Sequence, residues 1–133
     1  MTDHPNISRE RHRLVETWLR HARDRRAEDF WAWQELFDLV HSDVRAGWDV
    51  VLTLVAAASD DLLPAVGVGP LEDLISEHVD EVIDKVVRQA AADPRFRDAL
   101  TQSWFTYGQL PPHAERKLIA ATEGVIRILG LTV

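Results

Sequence analysis

Glu72 and Asp73 stand side by side behind Gly69-Pro70-Leu71, and His78 follows shortly after. Two carboxylates can coordinate a hard cation or divide acid and base roles in a hydrolysis, with an imidazole as third member. Neighbouring helical residues point about 100 degrees apart, so the pair acts as one site only with help from elsewhere in the fold. A structural role competes. With Gly69 as N-cap and Pro70 at the first helical position, Glu72 falls third, where its carboxylate accepts the N-cap amide hydrogen and complements the helix dipole. Capping is the favoured reading and accounts for the glycine, the proline and Glu72, but it leaves Asp73 unexplained. On a continuous helix His78 lies beside Leu71, Leu74, Ile75 and Val82, which favours a hydrogen-bonded core histidine over a ligand or base.

Other chemistries find less support. Gly67-Val68-Gly69 ahead of a helix has the outline of a phosphate cradle, but a third glycine, a lysine and a preceding strand are missing, and Glu72 and Asp73 would repel phosphate. Those glycines are read as a C-cap and a turn. His4, His12, His21, His41 and His113 form no H-E-x-x-H pattern, and no G-x-S-x-G element occurs. The chain has no cysteine, which excludes disulfides, thiolate metal sites and cysteine nucleophiles. No catalytic residue, metal or cofactor is assigned.

Charge and aromatics supply the remaining candidates. Arg9 to Arg26 holds seven arginines against Glu10, Glu16 and Asp24, a local +4 that leaves −11 on the rest of a chain of net charge −7. Arg9, Arg13 and Arg20 share one side of a helix, so a phosphate-contacting stripe is geometrically possible. The acidic remainder opposes it, and pairing with acidic helices of the same molecule is the favoured fate of these arginines. Of five tryptophans, Trp18, Trp33, Trp48 and Trp104 sit in apolar stripes and are read as core anchors. Trp31 lies about 200 degrees from Trp33 and is flanked by Glu28, Asp29 and Glu35, so it is the candidate partner contact, unless another helix covers it.

Helices must position all of these groups. Leu14, Val15, Trp18, Leu19 and Ala22 predict a helix from Arg9 to about Arg23, with Ser8 as N-cap. A second, about Ala27 to Val40, buries Phe30, Trp33, Leu36, Phe37 and Val40. A third starts after Ser42 or Asp43 and runs to about Ala58; it is the most apolar and hence central. A short helix ends at Gly67. From Leu71 to Ala92 the apolar residues hold one helical register. Asp93-Pro94 caps and starts the next helix, with Phe96, Leu100 and Trp104 inward. Tyr107 to Pro112 reads as a loop, and a last helix begins near Pro112. Gly124 can split it, and Val125 to Leu129 can be strand-like.

The pattern predicts an all-α fold of six or seven short helices packed as antiparallel αα hairpins, in a compact bundle or a short HEAT-like stack. Residues 1–8 are expected to be flexible and 9–133 to form a single helical domain. The apolar run Val50 to Ala58 is too short to cross a bilayer, and the amino terminus has no secretory pattern, so a soluble, cytoplasmic protein without membrane contact is expected.

From Gly69 onward the order of features resembles a bacterial domain family of unknown function marked by a glycine-proline-leucine-glutamate-aspartate-leucine core. Gly69 to Leu74 match that core. His78, Ile83, Asp84, Ala90, Asp93-Pro94, Phe96, Arg97, Leu100 and Trp104 fall where such proteins place similar residues, and Trp48 is similar to an upstream tryptophan of the pattern. The likeness covers roughly residues 30 to 110. It departs at Val79, where the family often follows its histidine with glycine; valine lets the register continue, leaving open whether one helix or two spans this stretch. The resemblance implies an all-α fold and supplies no activity. The functional expectation is a small acidic interaction or accessory module, immunity- or antitoxin-like in its sharper form, that binds another protein through residues such as Trp31, Glu72, Asp73 and His78. The alternatives are a metal-dependent or acid/base hydrolase centred on Glu72, Asp73 and His78, and a nucleic-acid binder using the first helix.

Overall fold

The computed structural model describes residues 5–106 and 108–129. Helix α1 (Pro5–Asp24) begins a turn earlier than the periodicity predicts, with Ser8 inside it rather than at its cap. Residues 1–4 of the expected flexible segment lie outside the described residues. Leu14, Val15 and Trp18 are buried, with Leu19 and Ala22 partly so, as the spacing predicts. Arg25, with φ 55°, follows the helix in the left-handed conformation that commonly ends one. After a 3-10 turn at Ala27–Asp29 comes α2 (Phe30–Ser42). The corner is clamped by Arg20, whose Nε and Nη2 donate to the buried Asp29 carboxylate at 2.9 and 3.0 Å. The hydrogen bond from Arg20 holds the Asp29 carboxyl below its ordinary value.

Helix α3 (Val44–Ala57) starts where Asp43 accepts the Ala46 amide at 3.1 Å. Val50, Val51 and Leu54 are fully buried in the core, and α3 packs against its sequence neighbours and against α5 and α6. A short α4 (Leu63–Val66) follows, and α5 (Glu72–Ala92) is the hub against which α2, α3, α6 and α7 pack. In α6 (Pro94–Thr101) the predicted cap is realised, since Asp93 accepts the Arg95 amide at 3.0 Å. Helix α7 (Pro112–Ala121) ends at a left-handed pair, Glu123 (φ 53°) and Gly124 (φ 81°), so Gly124 closes the last helix instead of splitting it.

The fold class is all-α, with consecutive helices packed as hairpins. One small addition escapes the helical pattern: β1 (Trp104–Thr106) pairs in parallel with β2 (Arg127–Leu129). The strand-like alternative for the C-terminal stretch thus holds for Arg127 to Leu129. Tyr107, which opens the predicted loop, and residues 130–133 lie outside the described residues. No helix among the described residues is long and apolar enough to cross a membrane.

Three sequence expectations are corrected. Trp104 is not a core anchor of α6: the helix stops at Thr101, and the indole, on an alternating strand whose inward residue is Phe105, is 44% exposed. Trp33 is not a core anchor either. Helix α2 turns Ala32, Leu36 and Val40 to the core, a stripe at i, i+4 and i+8, which leaves Phe30, Trp33 and Phe37 on the adjacent outer ridge. The third correction concerns the Gly69-Pro70 segment and shapes the candidate site.

Candidate functional site

Gly69 and Pro70 do not start a helix. Helix α4 runs through a π-helical turn, Gly67–Leu71, into α5 without a break, and the Glu72 amide reaches back to the Gly67 carbonyl, an i to i−5 bond. The wider ring accommodates Pro70, which has no N–H to give and whose ring would crowd the preceding turn of an ordinary α-helix. Glu72 therefore caps nothing at its own helix. Its Oε1 accepts the backbone N–H of Trp104 at 2.6 Å and ties β1 to the start of α5. Gly67 is required by close packing: a Cβ there would lie 2.1 Å from the Ala99 carbonyl oxygen of α6. It follows the last residue of α4 as its C-cap, but with φ −65° and ψ −47° it stays helical and makes no left-handed turn.

His78 carries the next irregularity. With φ −129° and ψ 36° it leaves helical geometry and kinks α5, so the stretch left open at Val79 is two helical halves joined at His78, while Leu71, Leu74, Ile75, Val82, Ile83, Val86 and Ala90 stay buried in the expected register. The imidazole Nε2 donates to the Val40 carbonyl at 2.8 Å. That carbonyl belongs to the last turn of α2, where helix geometry leaves acceptors without intrahelical donors. His78 is thus a tie between α5 and α2.

Asp73 stands apart from both. Its side chain is half-buried at a notch of about 30 Å³, walled by Trp18, Trp33, Phe37, Gly69 and Pro70. No hydrogen bond or ion pair engages it among the described residues. Burial raises its carboxyl above the ordinary value; His41 counters this and Glu77 adds to it. Burial also raises Glu72, against the Trp104 hydrogen bond. The three groups of a hypothetical hydrolytic centre are therefore committed separately: Glu72 to Trp104, His78 to Val40, and Asp73 to an aromatic notch. Among the described residues no cluster of three or more histidine or acidic side chains is arranged to hold a metal.

The notch opens onto a row of rings along α2. Phe30 stacks on Trp33 at 5.5 Å, Trp33 on Phe37 at 5.3 Å, and Phe37 on His41 at 3.9 Å, while buried His21 meets Phe30 edge-on at 5.7 Å. The spacings i, i+3 and i+4 put each ring above the next. Phe30, Trp33 and Phe37 remain 43, 41 and 39% exposed. The periodic signal for these positions was visible in the sequence; their outward direction was not.

Trp31 occupies the other side of α2. It is partly buried against the core, and the Arg13 guanidinium of α1 sits 4.9 Å above its ring centroid. It floors an open groove of about 660 Å³ between α1 and α2, whose rim mixes Arg11 with Glu10, Glu35 and Asp38. Several arginines of α1 are engaged within the molecule: Arg13 on Trp31, Arg20 on Asp29, Arg23 on the Ser59 hydroxyl at 3.1 Å, and Arg11 within 3.8 Å of Asp49.

A carboxylate whose carboxyl is raised by burial destabilises the fold once ionised, and the sign fixes the pH dependence. The stabilising contribution is present below the unfolded-state value and is lost as pH rises through the higher folded-state value. Asp73→Asn should therefore raise stability by about 0.5 kcal/mol at neutral pH, a figure held low because half the group faces water. The gain should vanish in acid below the carboxylate range. Urea titrations of both proteins across that range test this; a pH-independent difference would show that the carboxylate charge is not the cause.

Much of the pattern seen in the sequence turns out to build the fold. Trp48 meets Phe96 edge-on at 5.7 Å, Asp93 caps α6, and Ile83, Ala90 and Leu100 are core. Arg97 donates to the Ala90 carbonyl at 3.2 Å. No curated protein and no solved structure matches the chain. A family model matches residues 20–115, a span that takes in the aromatic row, the π-turn, the kink at His78 and the Asp93 cap. On that match the chain belongs to the family of unknown function DUF6869.

Proposed function

We propose that this chain is a non-catalytic protein-binding module whose binding face is the outer ridge of α2, from Phe30 to His41, together with the Asp73 edge of α5. The observation that carries the reading is the row of three stacked large rings left 39 to 43% exposed on one helix face. Single exposed apolar residues are ordinary, whereas a contiguous aromatic ridge bordered by charged groups has the composition of an interface centre. The acidic character of the chain favours a basic partner, in the manner of small immunity or antitoxin proteins that mask a cationic surface.

The test is site-specific photo-crosslinking in extract of the source organism. A benzophenone side chain at Phe30 or Phe37 should capture one protein in stoichiometric yield, while the same group at exposed Val125 should not. Equal capture at all three positions, or none at the α2 positions, would sink the assignment of this face.

A further inference from the structure

We propose that the free protein covers the outer ridge of α2 with the same ridge of a second copy, the two helices lying antiparallel about a two-fold axis between Trp33 and Phe37. This goes beyond the binding-module reading. It concerns what the face meets when no partner is present, and a partner has to displace the copy.

Stacking within the row decides the kind of occupant. Trp33 lies between Phe30 and Phe37, and Phe37 between Trp33 and His41, at centroid distances of 5.5, 5.3 and 3.9 Å. Their faces are therefore used within the row. What reaches solvent from Phe30 to His41 is a strip of ring edges, about 16 Å long at the helical rise. The notch beside it, about 30 Å³, is too small to seat a side chain. A flat apolar strip without a pocket is covered by another flat strip laid along it.

The spacing of the row supplies that counterpart. The rings stand at positions 30, 33, 37 and 41, so in an antiparallel copy Phe30 comes opposite His41 and Trp33 opposite Phe37, to within one residue of a common register. All four rings are matched on both copies at once, as an isologous contact requires.

Charge runs in the matching sense. At the Phe30 end, His21 meets the ring edge-on and Arg25 follows it by one turn, its amide on the His21 carbonyl at 2.9 Å. At the other end, near His41, stand Asp73 and Glu77. Glu77 is level with the last turn of α2, because its neighbour His78 bonds the Val40 carbonyl. The side chains of Arg25 and Glu77 are exposed and make no hydrogen bond or ion pair among the described residues. A copy laid parallel would set like ends together. The antiparallel copy sets Arg25 of each chain toward Glu77 of the other, twice by symmetry.

The contact is modest in size. A 13-residue helix is about 20 Å long and two adjoining helices are about 24 Å across, so α2 with the edge of α5 offers roughly 500 Å² on each copy. That is the low end for specific association, and the dissociation constant should fall at about 10 to 100 µM. In dilute extract the copies separate and leave the ridge to a partner.

The test is sedimentation velocity on the full-length protein between about 2 and 500 µM, a range that brackets such a constant. The weight-average mass should climb from 15.1 kDa toward twice that value. Trp33→Ala and Phe37→Ala, each with unchanged circular dichroism, should weaken the dimer at least about ten-fold. Arg25→Asp, an exchange that the left-handed backbone at this position tolerates, and Glu77→Arg should each weaken it at least about three-fold. Combined in one chain, the two should restore it to within about two-fold of wild type. A monomer at every concentration overturns the proposal. So does a dimer indifferent to Trp33→Ala and Phe37→Ala, which lies on another face, or a double charge variant no tighter than the single ones, which excludes the antiparallel register. The host partner is read separately. A host protein captured at Phe37 by a chain that stays monomeric leaves the binding-module reading and removes the dimer, whereas a dimer with no captured host protein does the reverse.

Discussion

Gly67→Ala should destabilise the protein by about 3 kcal/mol or more, at or above the top of the usual range for overpacking a core. The reason is what the new methyl group would strike. An ideal Cβ at Gly67 lies 2.1 Å from the Ala99 carbonyl oxygen, 2.9 Å from the Gln102 Cβ and 3.1 Å from the Ala99 carbonyl carbon. Two of these are backbone atoms of α6, so no rotamer change clears the space; α6 itself must move. Helix α6 is held against the same point by Ser103, whose buried hydroxyl donates to the Gly67 carbonyl at 2.7 Å. Moving the helix therefore also breaks a buried hydrogen bond, for which the cost is the desolvation of both groups. Gly69→Ala provides the contrast two residues away. Its Cβ would meet Trp18 Cζ2 at 3.9 Å, an ordinary contact, and the residue lies in the helical run, so alanine there should be neutral or stabilise by up to about 1 kcal/mol. Urea denaturation of both variants settles the comparison; similar midpoints would mean that α6 yields easily and that Gly67 is not a close-packing position.

This pair also marks what could be read from the sequence. Gly67 and Gly69 look alike as residues ahead of a helix, and nothing local distinguishes the one that faces α6 across the fold. Periodicity located α1, α3 and α5 and the start of α6, because each has one buried stripe, but ran α6 on to Trp104, and the Asp43 and Asp93 caps follow from residue chemistry alone. It misjudged the direction of α2, where Phe30, Trp33 and Phe37 share helical spacing with Leu36 and Val40. Two overlapping apolar stripes on one helix give a single broad signal, and only the neighbouring helices decide which stripe they cover. The π-turn was hidden for a related reason: glycine followed by proline is an ordinary helix start, and only the unbroken approach of α4 makes it a bulge. The element that left a trace was Asp73, which capping could not explain and which sits in the aromatic notch.

Arg95→Ala should lower stability by about 2 kcal/mol, through the loss of a junction rather than a surface ion pair. The Arg95 guanidinium donates from Nε to the Val55 carbonyl at 2.7 Å, from Nη2 to the Ala58 carbonyl, and from Nη1 to Asp60 at 2.7 Å. Val55 and Ala58 lie at the C-terminal end of α3, where carbonyls lack intrahelical donors and the helix dipole favours a cation. The Asp60 contact adds little, since that carboxylate is 96% exposed and water screens the pair. The carbonyls carry the effect. Arg95 is itself held in place because its amide is the donor to Asp93 at the α6 cap, so one residue joins the end of α3 to the start of α6. Arg95→Lys separates charge from geometry: a single ammonium can serve the dipole but cannot reach two carbonyls and a carboxylate with a planar fork, so it should recover less than half of the loss. Asp60→Asn should change stability by no more than about 0.5 kcal/mol. If Asp60→Asn instead matched Arg95→Ala in a urea titration, the ion pair would be the dominant contact and the carbonyl account would be wrong. Because α3 and α6 both pack on α5, loosening this junction should also destabilise the frame that holds the Asp73 notch.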